Sequence, residues 1–214
     1  MKEYINNWEI LGLNFDGICT GFLGSKEQIK IVVEFLEKFK TENNMVLIDP
    51  VMGDYGKLYS TYTDEMCKEM QNLIKYADVL TPNLTEACRL LDLPYPEETP
   101  THEELHLLCK KLSLQGPSKI VITGLQRQGA IENFIFESNK PYKVIQVEKI
   151  GQDRSGTGDV FSSIVSASLV KGEGFVDSVK KATDFISKSL KFTTNLNLPS
   201  SYGVCFEEFL TELK

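Results

Sequence analysis

The sequence predicts an α/β protein with a mainly parallel central sheet flanked by helices on both faces. Short apolar runs alternate along the chain with longer amphipathic runs. The apolar runs are nearly continuous, which is typical of parallel strands buried on both faces. Two further strand-like runs, 129–137 and 142–147, are joined by Ser-Asn-Lys-Pro, which predicts an antiparallel hairpin near the C-terminal half. A length of 214 residues favours a single domain, 1–214.

In the first half of the chain, predicted strands alternate with predicted helices. Strands are expected at FDGICT, MVLID and DVLT, which are 15–20, 45–49 and 78–81, and Pro50 stops the second. Apolar residues at helical spacing predict helices at 26–40, 64–76 and 83–91, the first beginning after a Ser25 cap.

In the second half, a helix at 101–112 and a strand at 119–123 precede the hairpin. Two successive helices follow at 160–170 and 175–191, and the acidic tail EEFLTELK predicts a surface helix. Ligands of such sheets bind beyond the carboxyl ends of the strands. The residues that follow each strand are therefore the candidates for function.

The composition argues against several classes of partner. The net charge is −7 and no block of lysines or arginines occurs, so non-specific nucleic-acid binding is not expected. Five cysteines without a CxxC pair indicate a reduced, cytoplasmic chain. The start, MKEYINNWEILGL, lacks the apolar core of a signal peptide, and no apolar run has membrane-spanning length.

Two acids follow the strand MVLID. Asp49 ends this strand, and Asp54 comes five residues later in a glycine-flanked turn. Two neighbouring carboxylates favour a cation between them, and Mg²⁺ needs only one or two acids when phosphate oxygens and water complete its shell. An ordinary strand-to-loop exit, rich in turn formers, would explain the same residues.

Asn83 and Glu86 lie three residues apart after the strand DVLT. The usual meaning of Asn-x-x-Glu is a capping box, in which each side chain satisfies a free backbone amide. The functional alternative directs both side chains at a metal–phosphate cluster. Thr123 and Gly124 end the strand KIVIT; they offer a hydroxyl and a bare backbone to a phosphate, or form a simple turn.

The stretch SGTGDVFSSIVSASLV, 155–170, places two glycines and an acid at the mouth of a predicted helix. Gly156 and Gly158 let a ligand approach the main chain closely, and the free amides of the first turn attract an anion. Asp159 could then accept a proton from an attacking hydroxyl. Alternatively, Asp159 only stabilises the helix N-terminus. The lysine-containing phosphate loop, GxxxxGK[ST], is absent.

Together, DPVMGDYGKLY, TPNLTEACRLL, VITG and GTGDVFSSIV resemble the pyridoxal kinase group of the ribokinase-like superfamily, over most of the chain. The related hydroxymethylpyrimidine kinases share DPVM and GTG. They usually lack the Gly-Asp that follows DPVM here, and they carry Cys at the position of Asp159. Both differences favour the vitamin B6 kinases.

The resemblance implies ATP-dependent phosphorylation of the 5′-hydroxymethyl group of pyridoxal, pyridoxine or pyridoxamine. It implies that Asp159 is the base and that Gly156, Thr157 and Gly158 form the anion hole. It implies Mg²⁺ near Asp54 and Glu86, and an ATP and phosphate site formed by Asp49, Tyr59, Thr81, Asn83, Thr123, Gly124 and Ser155. Members of the family are commonly homodimers and often bind a monovalent cation.

The resemblance also implies that relatives carry about one further βα portion before the position of Met1, including part of the vitamin pocket. Two alternatives therefore stand beside the vitamin B6 kinase. One is a hydroxymethylpyrimidine kinase of thiamine synthesis, and the other is a nucleotide-binding fragment or pseudokinase that acts with a partner.

Other chemically interesting residues have simpler interpretations. His102 and His106 have the spacing of a zinc pair, but no further ligands complete a site. A solvated helix face is the favoured interpretation. Trp8, Phe35 and Phe39 are expected to pack in the core.

Overall fold

A computed structural model describes residues 1–213. Its strands and helices alternate through the first half of the chain, as the sequence predicts. Their bounds are α1 Lys2–Ile10, β1 Gly17–Thr20, α2 Lys26–Phe39, β2 Met45–Ile48, β3 Gly53–Asp54, β4 Lys57–Leu58, α3 Asp64–Ile74, β5 Val79–Leu80, α4 Leu84–Leu90, α5 His102–Ser113, β6 Lys119–Arg127, β7 Ala130–Glu137, β8 Lys143–Glu148, α6 Thr157–Val170 and α7 Phe175–Asn195.

The central sheet has the strand order β1-β2-β5-β6-β7-β8. The first four strands are parallel, and β7 and β8 join them antiparallel. The predicted mainly parallel sheet with a hairpin is confirmed. The predicted strand at 119–123 is too short, because β6 continues through an irregularity between Ile122 and Leu125 and pairs with β7 up to Arg127.

Helices cover both faces of this sheet. Side chains of a strand point alternately to its two faces. Val46 and Ile48 therefore pack into one core with residues of α2, α3, α4 and α5. Leu47, between them, packs into the second core with residues of α6 and α7. This two-sided burial explains the continuous apolar runs that predict the parallel strands.

The predicted helices form with small shifts at their ends. Ser25 accepts a hydrogen bond from the Gln28 amide at 3.1 Å, as expected for the cap of α2. Trp8 packs edge-on against Phe35 at 5.9 Å between ring centroids, and Phe39 belongs to the same aromatic cluster.

The tail at 207–213 is a surface 3₁₀ helix rather than an α-helix, and Lys214 lies outside the described residues. Within residues 1–213 no helix has the length and apolar character needed to cross a bilayer.

The interpretation of the two histidines as a solvated helix face is wrong. Helix α5 packs on the sheet, and His102 lies with its Nε2 atom 2.9 Å from the carboxylate of Glu132. The ring of His106 lies 5.5 Å from that of Phe136. Both histidines therefore lie on the side of α5 that faces the sheet, where they contact acidic and aromatic side chains.

Candidate active site

A cavity of about 350 Å³ lies where the carboxyl ends of β2 and β5, the turn within β6 and the start of α6 meet. All thirteen residues proposed from the sequence line it, because the parallel strands end at one edge of the sheet. They are Asp49, Asp54, Tyr59, Thr81, Asn83, Glu86, Thr123, Gly124, Ser155, Gly156, Thr157, Gly158 and Asp159.

The floor of the cavity is built from the ends of β2 and β5. Asp49 is only 5% exposed, and its Oδ1 atom accepts a hydrogen bond from the Thr81 hydroxyl at 3.2 Å. Its Oδ2 atom faces the start of α6, where a Cβ added to Gly158 would lie 3.9 Å away. The floor carboxylate and the glycine turn are therefore neighbours.

Asn83 and Glu86 form a complete capping box. The Asn83 side chain accepts from the Glu86 amide at 3.0 Å, and Glu86 Oε2 accepts from the Asn83 amide at 2.8 Å. Glu86 Oε1 also accepts from the Met52 amide at 3.1 Å, and Asn83 Nδ2 donates to the Gly53 carbonyl at 2.8 Å. The pair thus caps α4 and also fixes the loop that carries Asp54.

Asp54 lies on a two-stranded hairpin formed by β3 and β4, beside the cavity. Its neighbour Tyr55 has a φ of 49°. The Tyr55 hydroxyl donates to the carboxylate of Asp153 in the β8–α6 loop and accepts from Gln126 Nε2 at 2.8 Å. The hairpin is therefore bridged to the loop across the cavity.

The Thr123–Gly124 turn interrupts the pairing of β6. Gly124 has a φ of +70°, and a Cβ built on it would meet nothing within 4 Å. The Thr123 amide donates to the Pro82 carbonyl at 2.9 Å, so this turn stays beside the start of α4. The open surface over Gly124 leaves its backbone accessible to a ligand.

Helix α6 begins with a left-handed glycine. Gly156 has a φ of +86°, and no side chain caps the first turn. The amides of this turn are thus available to an anion. The Asp159 carboxylate lies in the same turn, with Oδ1 3.7 Å from a Cβ built on Gly21. The carboxylate lies between the glycine turn at the start of α6 and the end of β1. Beside the end of β1, the Phe22 ring is half exposed.

Three carboxyl groups line the floor of the cavity, and the pKa of each is raised. Burial, together with the charge of Asp159, raises the pKa of Asp49 although the Thr81 hydroxyl opposes this. Burial and the charge of Asp49 raise the pKa of Glu86, against two backbone hydrogen bonds. Burial also raises the pKa of Asp54, with a smaller contribution from Asp153.

These acids suit a divalent cation that is shared with a phosphate. Among residues 1–213, Asp49, Asp54 and Glu86 form no ion pair with a basic side chain. The same part of the chain contains no group of three or more His, Cys, Asp or Glu side chains arranged to hold a metal by themselves. Mg²⁺, which keeps water and takes phosphate oxygens, fits such an incomplete donor set.

The structure adds cavity residues that the sequence interpretation missed. Lys149, at the end of β8, donates to Gln126 Oε1 at 3.0 Å and lies 3.6 Å from Asp153. The far end of the cavity includes Ile186 and Leu190 of α7. A lysine directly after a hairpin strand was a visible signal. No pattern in the sequence placed α7 against the hairpin.

Two buried polar residues of this wall, Asn133 and Thr183, were also missed. Each interrupts an apolar run, IENFIF or ATDFIS. An interruption of this kind was the available signal.

Comparisons with known proteins identify a family and several relatives of this chain. The family model described as phosphomethylpyrimidine kinase matches residues 9–204. A hydroxymethylpyrimidine/phosphomethylpyrimidine kinase of Aquifex aeolicus is 29% identical, over 84% of this chain and 69% of its own length.

Two solved structures share the fold. A Bacteroides thetaiotaomicron protein assigned as a phosphomethylpyrimidine kinase, crystallised with pyridoxal, is 35% identical with a TM-score of 0.91. The match covers 100% of this chain and 76% of that one. An ADP complex of Bacillus subtilis pyridoxal kinase is 26% identical with a TM-score of 0.71, over 84% of this chain and 66% of that one.

Proposed function

The chain belongs to the phosphomethylpyrimidine kinase family, and from this membership we propose that it transfers the γ-phosphoryl group of ATP to the 5′-hydroxymethyl group of a B6 vitamer. The main structural support for this proposal is the position of Asp159. Its carboxylate lies beside the uncapped glycine turn of α6 and next to the end of β1, at the edge of the cavity.

In this proposal Asp159 accepts the proton of the 5′-hydroxyl group. The hydroxyl oxygen forms a bond to the γ-phosphorus while the bond from phosphorus to the bridging oxygen breaks, which leaves ADP. The first-turn amides at 156–158 hold the transferred group, because free helix amides stabilise the charge of its oxygens. Such transfer needs mainly positioning and charge stabilisation, so one carboxylate base suffices.

The floor acids would orient the triphosphate. Asp54 and Glu86 are the candidate metal ligands, with Asp49 and Asn83 beside them. Mg²⁺ bound there would neutralise charge on the phosphate oxygens. Thr123, Gly124 and Ser155 would contact the phosphate tail, and Tyr59 and Thr81 would lie near it.

The acceptor would lie on the β1 side of Asp159. Gly21 leaves space close to the carboxylate, and Phe22 offers an exposed ring for stacking on a pyridine. The homodimer, the monovalent cation, the cytoplasmic location and the single domain remain predictions.

Two features favour a B6 vitamer over a hydroxymethylpyrimidine. This chain has Asp159 where the pyrimidine kinases usually carry Cys, and it has Gly53-Asp54 after the DPVM motif. A 35% identical structure contains pyridoxal. The matching family model and the Aquifex relative favour the pyrimidine substrate as the second candidate.

Separate kinase assays with each candidate acceptor test the substrate. ATP consumption is measured with pyridoxal, pyridoxine, pyridoxamine and hydroxymethylpyrimidine in Mg²⁺ buffer, and kcat/KM is compared for each. We expect the highest value for a B6 vitamer. A higher value for hydroxymethylpyrimidine would transfer the assignment to the second candidate. ADP binding without turnover of any acceptor would indicate a nucleotide-binding protein that lacks this activity.

A further inference from the structure

A chain of three hydrogen bonds runs from the cavity into α7. The Gly124 amide donates to Asn133 Oδ1 at 3.2 Å, and Asn133 Nδ2 donates to the Thr183 hydroxyl oxygen at 2.8 Å. The Thr183 hydroxyl in turn donates to the Val179 carbonyl at 2.8 Å. Asn133 is 6% exposed and Thr183 is 4% exposed, so water competes little for these groups.

The direction of this chain is fixed by its ends. The Gly124 amide can only donate, and the Val179 carbonyl can only accept. The Thr183 hydroxyl donates its only hydrogen to the Val179 carbonyl, so toward Asn133 its oxygen can only accept. The Asn133 side chain therefore has one allowed orientation, with its oxygen toward Gly124 and its nitrogen toward Thr183.

The peptide anchored by Asn133 is that of Gly124. Gly124 lies at an irregularity in the β6–β7 ladder, with a φ of +70° and no atom within 4 Å of a Cβ built on it. A glycine at such a point is free to change its backbone angles. The hydrogen bond that the Gly124 amide donates to Asn133 restricts this freedom and favours one orientation of the Thr123–Gly124 turn toward the cavity.

We propose that Asn133 and Thr183 are positioning residues that hold the Thr123–Gly124 turn in the geometry that receives the nucleotide phosphates. The inference rests on the proposed function, since it takes this turn as part of the ATP site. Thr183 belongs to the helix that also supplies Ile186 and Leu190 to the cavity wall. The hydrogen bonds thus join the turn to the wall at the far end of the same cavity.

Thr193, ten residues along α7, provides a matched control. Its hydroxyl donates to the Ser189 carbonyl at 2.7 Å and its oxygen accepts from the Cys205 amide at 2.9 Å. It is fully buried and does not line the cavity. A Thr→Val change therefore removes the same kinds of bond at both positions, but only Thr183 leads to Gly124.

The test compares Thr183→Val, Thr183→Ser and Thr193→Val with the parent chain. Three quantities are measured: the melting temperature, hydrogen exchange of the Gly124 amide without nucleotide, and the Kd for ADP by calorimetry. In Thr183→Val we expect faster exchange at Gly124 and an ADP affinity about three- to tenfold weaker, the effect of losing about one hydrogen bond.

Thr183→Ser, which keeps the hydroxyl, should recover most of the lost affinity. Thr193→Val should lower the melting temperature without changing the Kd. Thr183→Ala removes the same hydroxyl with less bulk and replaces the valine variant if that variant does not fold.

Two results would overturn the positioning role: unchanged Gly124 exchange in Thr183→Val, or equal Kd changes in the two valine variants. A parent chain that binds no ADP would instead refute the nucleotide site itself, and with it the proposed function.

Discussion

The two sides of Asp159 differ in how completely they are built. On the side that we propose for the nucleotide, hydrogen bonds join the loops: Asn83 Nδ2 donates to the Gly53 carbonyl and the Tyr55 hydroxyl donates to the Asp153 carboxylate. On the other side, β1 is the outer strand of the sheet in the described residues, and Cys19 and the Phe22 ring are exposed. One side is enclosed and the other faces solvent.

This difference suggests that one side of the site serves catalysis and the other serves binding of the acceptor. A preorganised pocket loses rate when one of its parts is removed, because its groups act together on the reacting atoms. An open surface loses only the contact that was changed. We therefore expect changes near the glycine turn to affect catalysis strongly, and changes beside β1 to affect only the acceptor.

The largest effect is expected for Asp159→Ala. Removing the base should lower kcat by at least about a hundredfold, whereas the Kd for ADP should change little because the phosphate-binding turn remains. Single-turnover kinetics with pyridoxal and calorimetry with ADP measure the two quantities.

Asp177→Ala is the matched control, because Asp177 is also the third residue of a helix that follows a glycine N-cap. It should retain the parent kcat. Equal losses in both variants would show that Asp159 acts only on the helix.

Gly156→Ala should lower the transfer rate by about tenfold or more, since it disturbs amides that face the transferred group. It should also destabilise the fold by about 1–2 kcal/mol, because a side chain at a φ of +86° is strained.

Gly172→Ala isolates the strain. Gly172 has the same φ of +86°, also with no atom near a built Cβ, and follows the far end of α6. Its urea unfolding should show a similar destabilisation at an unchanged kcat. A similar loss of rate in both variants would remove the special role of the Gly156 turn.

Phe22→Leu tests the open side. If the ring stacks on the acceptor, the KM for pyridoxal should rise about two- to tenfold, the range of an aromatic pair, while kcat and ADP affinity stay unchanged. Tyr4→Leu serves as the control, because Tyr4 is also an exposed aromatic residue but lies on α1. An unchanged KM in Phe22→Leu would locate the acceptor elsewhere.

The smallest effect concerns pH and the floor acids. The pKa of Asp49 is raised in the folded chain, so the folded state holds this proton more strongly than the unfolded state. Its contribution to stability is present below the ordinary pKa and is lost as pH rises through the folded value.

Folding raises the pKa of Asp49 to about 7. Without divalent ions, the melting temperature should therefore fall between about pH 4 and pH 7, and Asp49→Asn should reduce that fall by about 2–4 °C. Mg²⁺ should restore stability at the higher pH in the parent chain. If the melting temperature falls equally with pH in the parent chain and in Asp49→Asn, titration of Asp49 does not cause the fall.

The alternation of strands and helices could be predicted because burial on both faces is written into continuous apolar runs such as MVLID. The end of β6 could not be predicted, since Gly124 stops the apolar run while the backbone continues pairing beyond it. The face of His102 was mispredicted because its partners, Glu132 and the hairpin aromatics, are distant in sequence.

In the candidate site too, features set by local sequence could be predicted and features set by distant contacts could not. Residues after strand ends could be named, because parallel strands end together. Asn133 and Thr183 stood out only as polar interruptions of apolar runs. Their hydrogen bond could not be predicted, since it joins β7 to α7 across fifty residues of sequence. Sequence spacing alone offered a choice between cap and ligand for Glu86. It could not show that one carboxylate oxygen caps α4 while the other accepts from the Met52 amide at the cavity wall.

That double use of Glu86 limits how this position can evolve. A glutamine there would present an amide group to one of the backbone donors of Asn83 and Met52 and would lose an acceptor. An aspartate is one methylene shorter and could not span both. A substitution at position 86 therefore disturbs the loop after β2 and the start of α4 at the same time, whether or not the side chain also binds a metal.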